Sequence, residues 1–109
     1  MKHKALAMAL LVSLAAPAWA ELQSSEIPFV LEFLVCDGAL SKGCDMFESG
    51  EFSTAFREFA ALAEVGNANA QNNVGVLYEA GAGVPSNKTE ALRWYREAAV
   101  QWRFGVNRP

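Results

Sequence analysis

The sequence predicts an all-α protein built from two antiparallel helix hairpins, preceded by a short helical or arm segment. Three observations carry that expectation. From position 39 onward apolar residues recur at helical spacing. Gly50, Gly66 and Gly81 close successive helical stretches, each where a left-handed cap costs glycine least. The second half of the chain repeats the first, with one insertion. Strand-like alternation is absent.

Residues 1–20 read as an export signal. Lys2 and Lys4 give a basic start, and the apolar run over 5–16 is shorter than the roughly 20 residues of a membrane helix. Pro17 breaks that run, and Ala18-Trp19-Ala20 offers small residues at alternate positions, so cleavage is expected between Ala20 and Glu21. The alternative is an uncleaved anchor. Lipidation would need a cysteine just after the cleavage site, whereas the first is Cys36. The product is therefore expected to be periplasmic or secreted, with no stable membrane insertion after processing.

Removing the signal takes away Lys2, Lys4 and His3 and leaves 89 of the 109 residues. Seven basic residues then face twelve acidic ones, a net charge of about −5 that argues against nucleic acid or an anionic membrane as main partner. The remaining length is enough for one domain, near the low end of what buries a self-sufficient core.

The elements follow in order. Residues 21–38 form an arm or short helix: the apolar stretch has no clear period, and Pro28 suits a first helical turn, so a helix over 28–35 is expected. Residues 39–66 form the first helix-turn-helix unit, with helices over 39–49 and 52–65. The second of these carries the apolar stripe Ala55, Phe56, Phe59, Leu62 and Ala63. Residues 67–103 form the second unit. Asn67 caps a helix over 68–80 with Ala70, Val74, Leu77 and Tyr78 inward. After the loop 81–85, Asn87 and Glu90 read as a capping box for a helix running to 103. Its stripe is Ala91, Tyr95, Ala98, Ala99 and Trp102. Residues 104–109 are a tail.

The repeat is visible residue by residue. An offset of 36 lays Ala55 on Ala91, Arg57 on Arg93, Phe59 on Tyr95 and Ala63 on Ala99. An offset of 31 lays Phe47-Glu48-Ser49-Gly50 on Tyr78-Glu79-Ala80-Gly81, the difference being the longer loop of the second unit. Gly75, Ala91, Ala98 and Ala99 would let backbones approach, with Tyr78, Trp94, Tyr95 and Trp102 filling the volume left.

The run from Gly66 to Pro85, with Ala70, Val74-Gly75, Leu77-Tyr78, Gly81, Gly83 and Val84-Pro85, followed by Ala91-Leu92-Arg93-Trp94-Tyr95-Arg96-Glu97-Ala98-Ala99, resembles the Sel1-like repeat, a relative of the tetratricopeptide repeat. The unit before it is similar to the tetratricopeptide-like opening of exported bacterial members. The resemblance implies an α/α superhelix serving as an adaptor that assembles other proteins at the membrane or in the envelope. The chain departs from the pattern after Ala99, where the family usually continues with a glycine and this chain has Trp102 and Phe104. Either these two fold back as a cap, or they form an apolar patch that meets a partner or a second copy as a homodimer.

Cys36 and Cys44 are the only cysteines. In an exported chain they read as a structural disulfide rather than a redox pair or a metal site. Their setting also resembles, in part, the within-repeat disulfide of cysteine-rich Sel1-like proteins. That partial likeness implies an alternative function, the binding or slow hydrolysis of cell-wall-derived or β-lactam-like ligands.

Nothing in the mature sequence specifies a reaction, a cofactor or a metal centre. It has no histidine, the commonest general base. Lys42 and Lys88 read as solvated amines, and Glu90 with Arg93 as a helix-face ion pair. A binding face is easier to define. Opposite Ala70, Val74 and Leu77, the helix over 68–80 would present Asn69, Asn72, Val76 and Glu79, with Asn73 at the edge. In superhelices of this kind the first helix of each unit lines the concave face, so these five residues are the expected contacts to a protein or peptide partner. A plain solvated surface is the alternative.

Overall fold

The computed structural model describes residues 27–103. The expected signal segment, its expected cleavage between Ala20 and Glu21, and residues 104–109 with Phe104 lie outside the described residues. Five α-helices make up the fold among them, with no strand: α1 (Ile27–Leu31), α2 (Ser41–Glu48), α3 (Phe52–Glu64), α4 (Ala68–Ala80) and α5 (Lys88–Arg103). A 3-10 turn (Gly38–Leu40) leads into α2. Helices α2 and α3 form one antiparallel hairpin, α4 and α5 the second, and α3 packs on α4 to join them.

The glycine stops are made as expected. After α2 the chain turns with Gly50 at φ +87°. There the Gly50 N–H donates to the Phe47 carbonyl at 3.0 Å and the Glu51 N–H to the Met46 carbonyl at 2.8 Å. The same closure recurs after α3, where Gly66 and Asn67 donate to Ala63 and Leu62 at 3.1 Å each. These bonds satisfy carbonyls that a helix end leaves without an intrahelical partner. Gly81 at φ +71° ends α4, and its N–H reaches the Leu77 carbonyl at 2.9 Å.

The helix starts are less symmetrical. The Asn67 side chain accepts from the Ala70 N–H at 2.9 Å, a full N-cap that sets the first residue of α4. At α5 only half of the expected capping box forms. Asn87 Oδ1 accepts from the Glu90 N–H at 3.1 Å, but the Asn87 N–H goes to the Tyr78 carbonyl at 3.0 Å. With its reciprocal donor spent, the Glu90 carboxylate turns instead to Arg93 at 2.9 Å. That hydrogen bond from the guanidinium holds the Glu90 carboxyl below the usual range.

The core runs through both hairpins. Phe47, Phe59, Val74 and Leu77 are fully buried. The Phe47 and Phe52 rings lie 4.9 Å apart within the first unit, and Phe56 meets Tyr78 edge-on at 5.2 Å across the junction of the two. Each hairpin is closed by a ring laid over a glycine. A methyl group at Gly43 would sit 2.5 Å from the Phe59 ring, and one at Gly75 would sit 2.6 Å from the Tyr95 ring. These two glycines are 32 residues apart, one more than the offset that aligns Phe47 with Tyr78. The packing register thus shifts by one residue within otherwise equivalent helices.

The segment before α2 differs from expectation. Helix α1 stops at Leu31 rather than continuing to Val35, and tight turns follow, with Phe33 and Leu34 donating to the Val30 and Leu31 carbonyls at 3.0 and 3.1 Å. A distant residue determines the stop. Val35 donates its N–H to Asn73 Oδ1 and accepts from Asn73 Nδ2, each at 2.8 Å. Backbone outside a helix at Val35 leaves both groups free for Asn73, whereas helical backbone would consume them internally. At the far side of the fold the expected stripe of α5 is only partly used. Ala91 and Ala98 are buried, but Ala99 is exposed and Trp102 is 49% exposed, because among the described residues no helix covers that flank.

Candidate binding groove on the first helix of the second unit

Helix α4 is covered on more than one side. Helices α3 and α5 take the flank carrying Ala70, Val74 and Gly75, and the N-terminal segment lies across the opposite flank. Two buried amides lock these contacts. Gln71 donates from Nε2 to the Ala63 carbonyl at 3.1 Å and accepts from Gln101 Nε2 at 2.7 Å, tying α4 to α3 and α5. Asn73, with 0% exposure, ties α4 to Val35. Among the described residues no buried side-chain nitrogen or oxygen lacks a partner.

The disulfide reinforces the same segment. Cys36 and Cys44 are bonded, with Cα atoms 5.8 Å apart, which fastens the residue after Val35 to the middle of α2. The chain between them therefore closes a loop directly beside the Asn73 anchor.

This bracing creates a groove. The gap between α1 with its following turns, the C-terminal half of α4 and one ring of α5 is an open concavity of about 640 Å³. Phe29, Val30 and Phe33 form one wall; Asn72, Val76, Glu79 and Ala80 form the floor and Tyr95 the far side. Phe29 on α1 and Phe33 in the turn that follows it meet edge to face at 5.5 Å, and are 64% and 56% exposed. Asn72 Nδ2 holds the near wall by donating to the Phe33 carbonyl at 3.2 Å. Across the groove the Tyr95 hydroxyl donates to Glu79 Oε1 at 2.8 Å. Burial of the ring, then this bond to a carboxylate, push the Tyr95 phenol well above its ordinary value.

Of the five residues expected to meet a partner, Asn72, Val76 and Glu79 line this groove together. Asn69 is half-buried outside its lining, and Asn73 is inside the protein with its amide spent on Val35. The expectation that Asn73 lies at the edge of an open face is therefore corrected: the N-terminal segment packs over that edge. The sequence reading missed Phe29, Phe33, Ala80 and Tyr95 as groove residues. An aromatic pair four residues apart in an otherwise aperiodic stretch was the available sign of the wall, since that spacing puts both rings on one helical face. Elsewhere Lys42 pairs loosely with Glu58 at 3.9 Å, and Arg93 also lies 4.5 Å over the Trp94 ring.

The helix pair bounding this groove, with its cap at Asn67, ring over Gly75 and left-handed Gly81, coincides with a match to the family model described as the Sel1 repeat, over residues 68–99. Residues 68–99 are a Sel1 repeat. Neither a curated protein nor a solved structure matches the chain. Sel1 repeats, like the tetratricopeptide repeats they resemble, generally mediate contacts between proteins. In this Sel1 repeat the groove lies on the first helix, and the preceding hairpin stacks on the repeat through Phe56 and Tyr78. No helix among the described residues is long and apolar enough to cross a membrane, and no cluster of three metal-ligating side chains occurs among them.

Proposed function

We propose that this chain is an exported, non-enzymatic scaffold of the cell envelope that docks a protein or extended peptide partner in the groove on α4. The single observation carrying the proposal is the coincidence of the expected recognition face with an open concavity. Asn72, Val76 and Glu79 share it with two aromatic rings left more than half exposed. Exposed aromatic side chains beside a few fixed polar groups are typical anchors for a partner, because rings bury large area with little loss of rotamer freedom.

Export to an oxidising compartment is supported by the Cys36–Cys44 disulfide, since such bonds persist outside the reducing cytosol. The domain division follows the same reading. A cleaved segment 1–20 precedes an N-terminal arm that serves as groove wall, a first hairpin that braces it, and a Sel1 repeat that supplies the floor. On the same reading two copies associate through the exposed Trp102 on α5, which Phe104 follows in the sequence.

The test is co-purification from envelope extracts of the host. Wild-type protein should retain a specific protein that a Phe33→Ser, Val76→Asp double variant loses while keeping its helical circular dichroism. Equal retention by the variant refutes the groove. Thermal stabilisation by peptidoglycan fragments or penicillins, with no co-purifying protein, would instead favour a small cell-wall ligand.

A further inference from the structure

The groove carries a charge asymmetry that narrows what can sit in it. Of its eight lining residues only Glu79 bears a formal charge. The segments that build its walls and floor extend the bias: residues 27–41 contain Glu32 and Asp37 and no lysine or arginine, and residues 66–87 contain Glu79 and no lysine or arginine. The basic side chains of the described residues, Lys42, Arg57, Lys88, Arg93, Arg96 and Arg103, all belong to α2, α3 and α5, and none lines the groove.

Glu79 is also prepared for a cation. Its exposed carboxylate accepts a side-chain hydrogen bond from Tyr95, whereas a carboxylate offers about four acceptor sites. The bond orients the group without neutralising it, because the phenol stays protonated. Phe29 and Phe33 line the same groove, and aromatic rings attract a guanidinium or ammonium as well as an apolar side chain.

We infer that the groove selects a basic-apolar peptide segment, with a bulky apolar side chain seated among Phe33, Val76 and Tyr95 and an adjacent arginine or lysine set against Glu79. This rests on the reading of the groove as a protein-docking site and adds its partner chemistry. The occupant is a partner of opposite charge to the groove. An acidic helix or a second copy docking through α1 would bring carboxylates toward Glu32, Asp37 and Glu79, and like charges brought together weaken binding.

Two fluorescently labelled octapeptides decide the matter, identical except for a centre of Leu-Phe-Arg-Lys in one and Leu-Phe-Glu-Glu in the other, titrated by anisotropy with the mature protein. The basic peptide should bind about twofold to fivefold more tightly, the scale of one partly exposed ion pair, and its advantage should shrink with added salt. Glu79→Gln should reduce the preference, leaving only what Glu32 and Asp37 contribute, while Phe33→Ser should weaken both peptides. Equal affinities, or a preference undiminished in Glu79→Gln, overturn the charge inference. If equal binding is still lost in Phe33→Ser, the docking groove itself stands. Binding by neither peptide overturns the inference, and the fate of the docking reading is then decided by the co-purification experiment.

Discussion

The side chain of Asn73 hydrogen-bonds to both backbone groups of Val35, accepting from its N–H and donating to its carbonyl at 2.8 Å each, across 38 residues of sequence. An amide in this geometry substitutes for a strand partner. It fixes an irregular segment against α4 and so sets the height of the groove wall that carries Phe29 and Phe33.

Replacing Asn73 with alanine should orphan both Val35 groups. Unmade buried hydrogen bonds cost about 1 to 3 kcal/mol, which in a domain of this size lowers the melting temperature by roughly 5 to 15 °C. Asn72→Ala removes one bond at the exposed rim and should shift the midpoint by a few degrees at most. Thermal melts followed by circular dichroism compare the two.

The disulfide should act on the same segment from the other side. Joining residues 36 and 44 restricts the unfolded chain, worth about 2 to 3 kcal/mol on the chain-entropy model. Reduction, or a Cys36→Ser, Cys44→Ser variant, should lower the unfolding free energy by that amount, read as a fall in the denaturant midpoint. The loss in hydrogen-exchange protection should concentrate in residues 33–44, with α4 and α5 largely retained.

The packing of Tyr95 over Gly75 predicts the sign of a substitution that helix propensity gets wrong. Alanine favours a helix over glycine by about 1 kcal/mol. Here the added methyl would lie 2.6 Å from the Tyr95 ring, and overpacking of this kind costs about 1 to 3 kcal/mol. Gly75→Ala should therefore destabilise the protein, and the same change in a Tyr95→Ala background should be neutral or stabilising. A double-mutant cycle by urea denaturation reads the coupling directly.

Alkaline pH should unfold the wild type sooner than a Tyr95→Phe variant, relative to their stabilities near neutrality. Burial and the bond to Glu79 raise the phenol above its ordinary value of 10.0, so the unfolded chain releases this proton first. The contribution is complete below pH 10 and declines as pH rises beyond it. Denaturant midpoints at pH 8 and pH 11 for both proteins give the comparison, and parallel losses would remove Tyr95 as the cause.

Much of the architecture was legible because local chemistry specified it. Asn67 and Gly81 bound α4 at the residues expected, since a side-chain cap and a left-handed glycine act within one turn. The end of α3 fell within one residue of expectation for the same reason. What escaped were consequences of distant contacts. Helix α1 stops early because Asn73 claims Val35, and Asn73 is interior because the N-terminal segment covers it. Neither follows from periodicity on α4 alone. The capping box at Asn87 formed by half because Tyr78 supplied a competing acceptor. Ala99 was expected inside by analogy with Ala63, yet Ala63 is buried only because α4 lies against α3, and α5 has no such neighbour among the described residues. The groove was half legible: its floor followed from the face of α4, while its wall depended on where the arm came to rest.

The central claim, that a partner protein docks between the arm and α4, is tested most directly by placing a photo-crosslinking amino acid at position 33 or 76, and in parallel at position 57 on α3, in living cells. Irradiation should yield a discrete adduct to another protein from positions 33 and 76 and none from 57. Adducts from 57 alone, or the same pattern from all three positions, would contradict it.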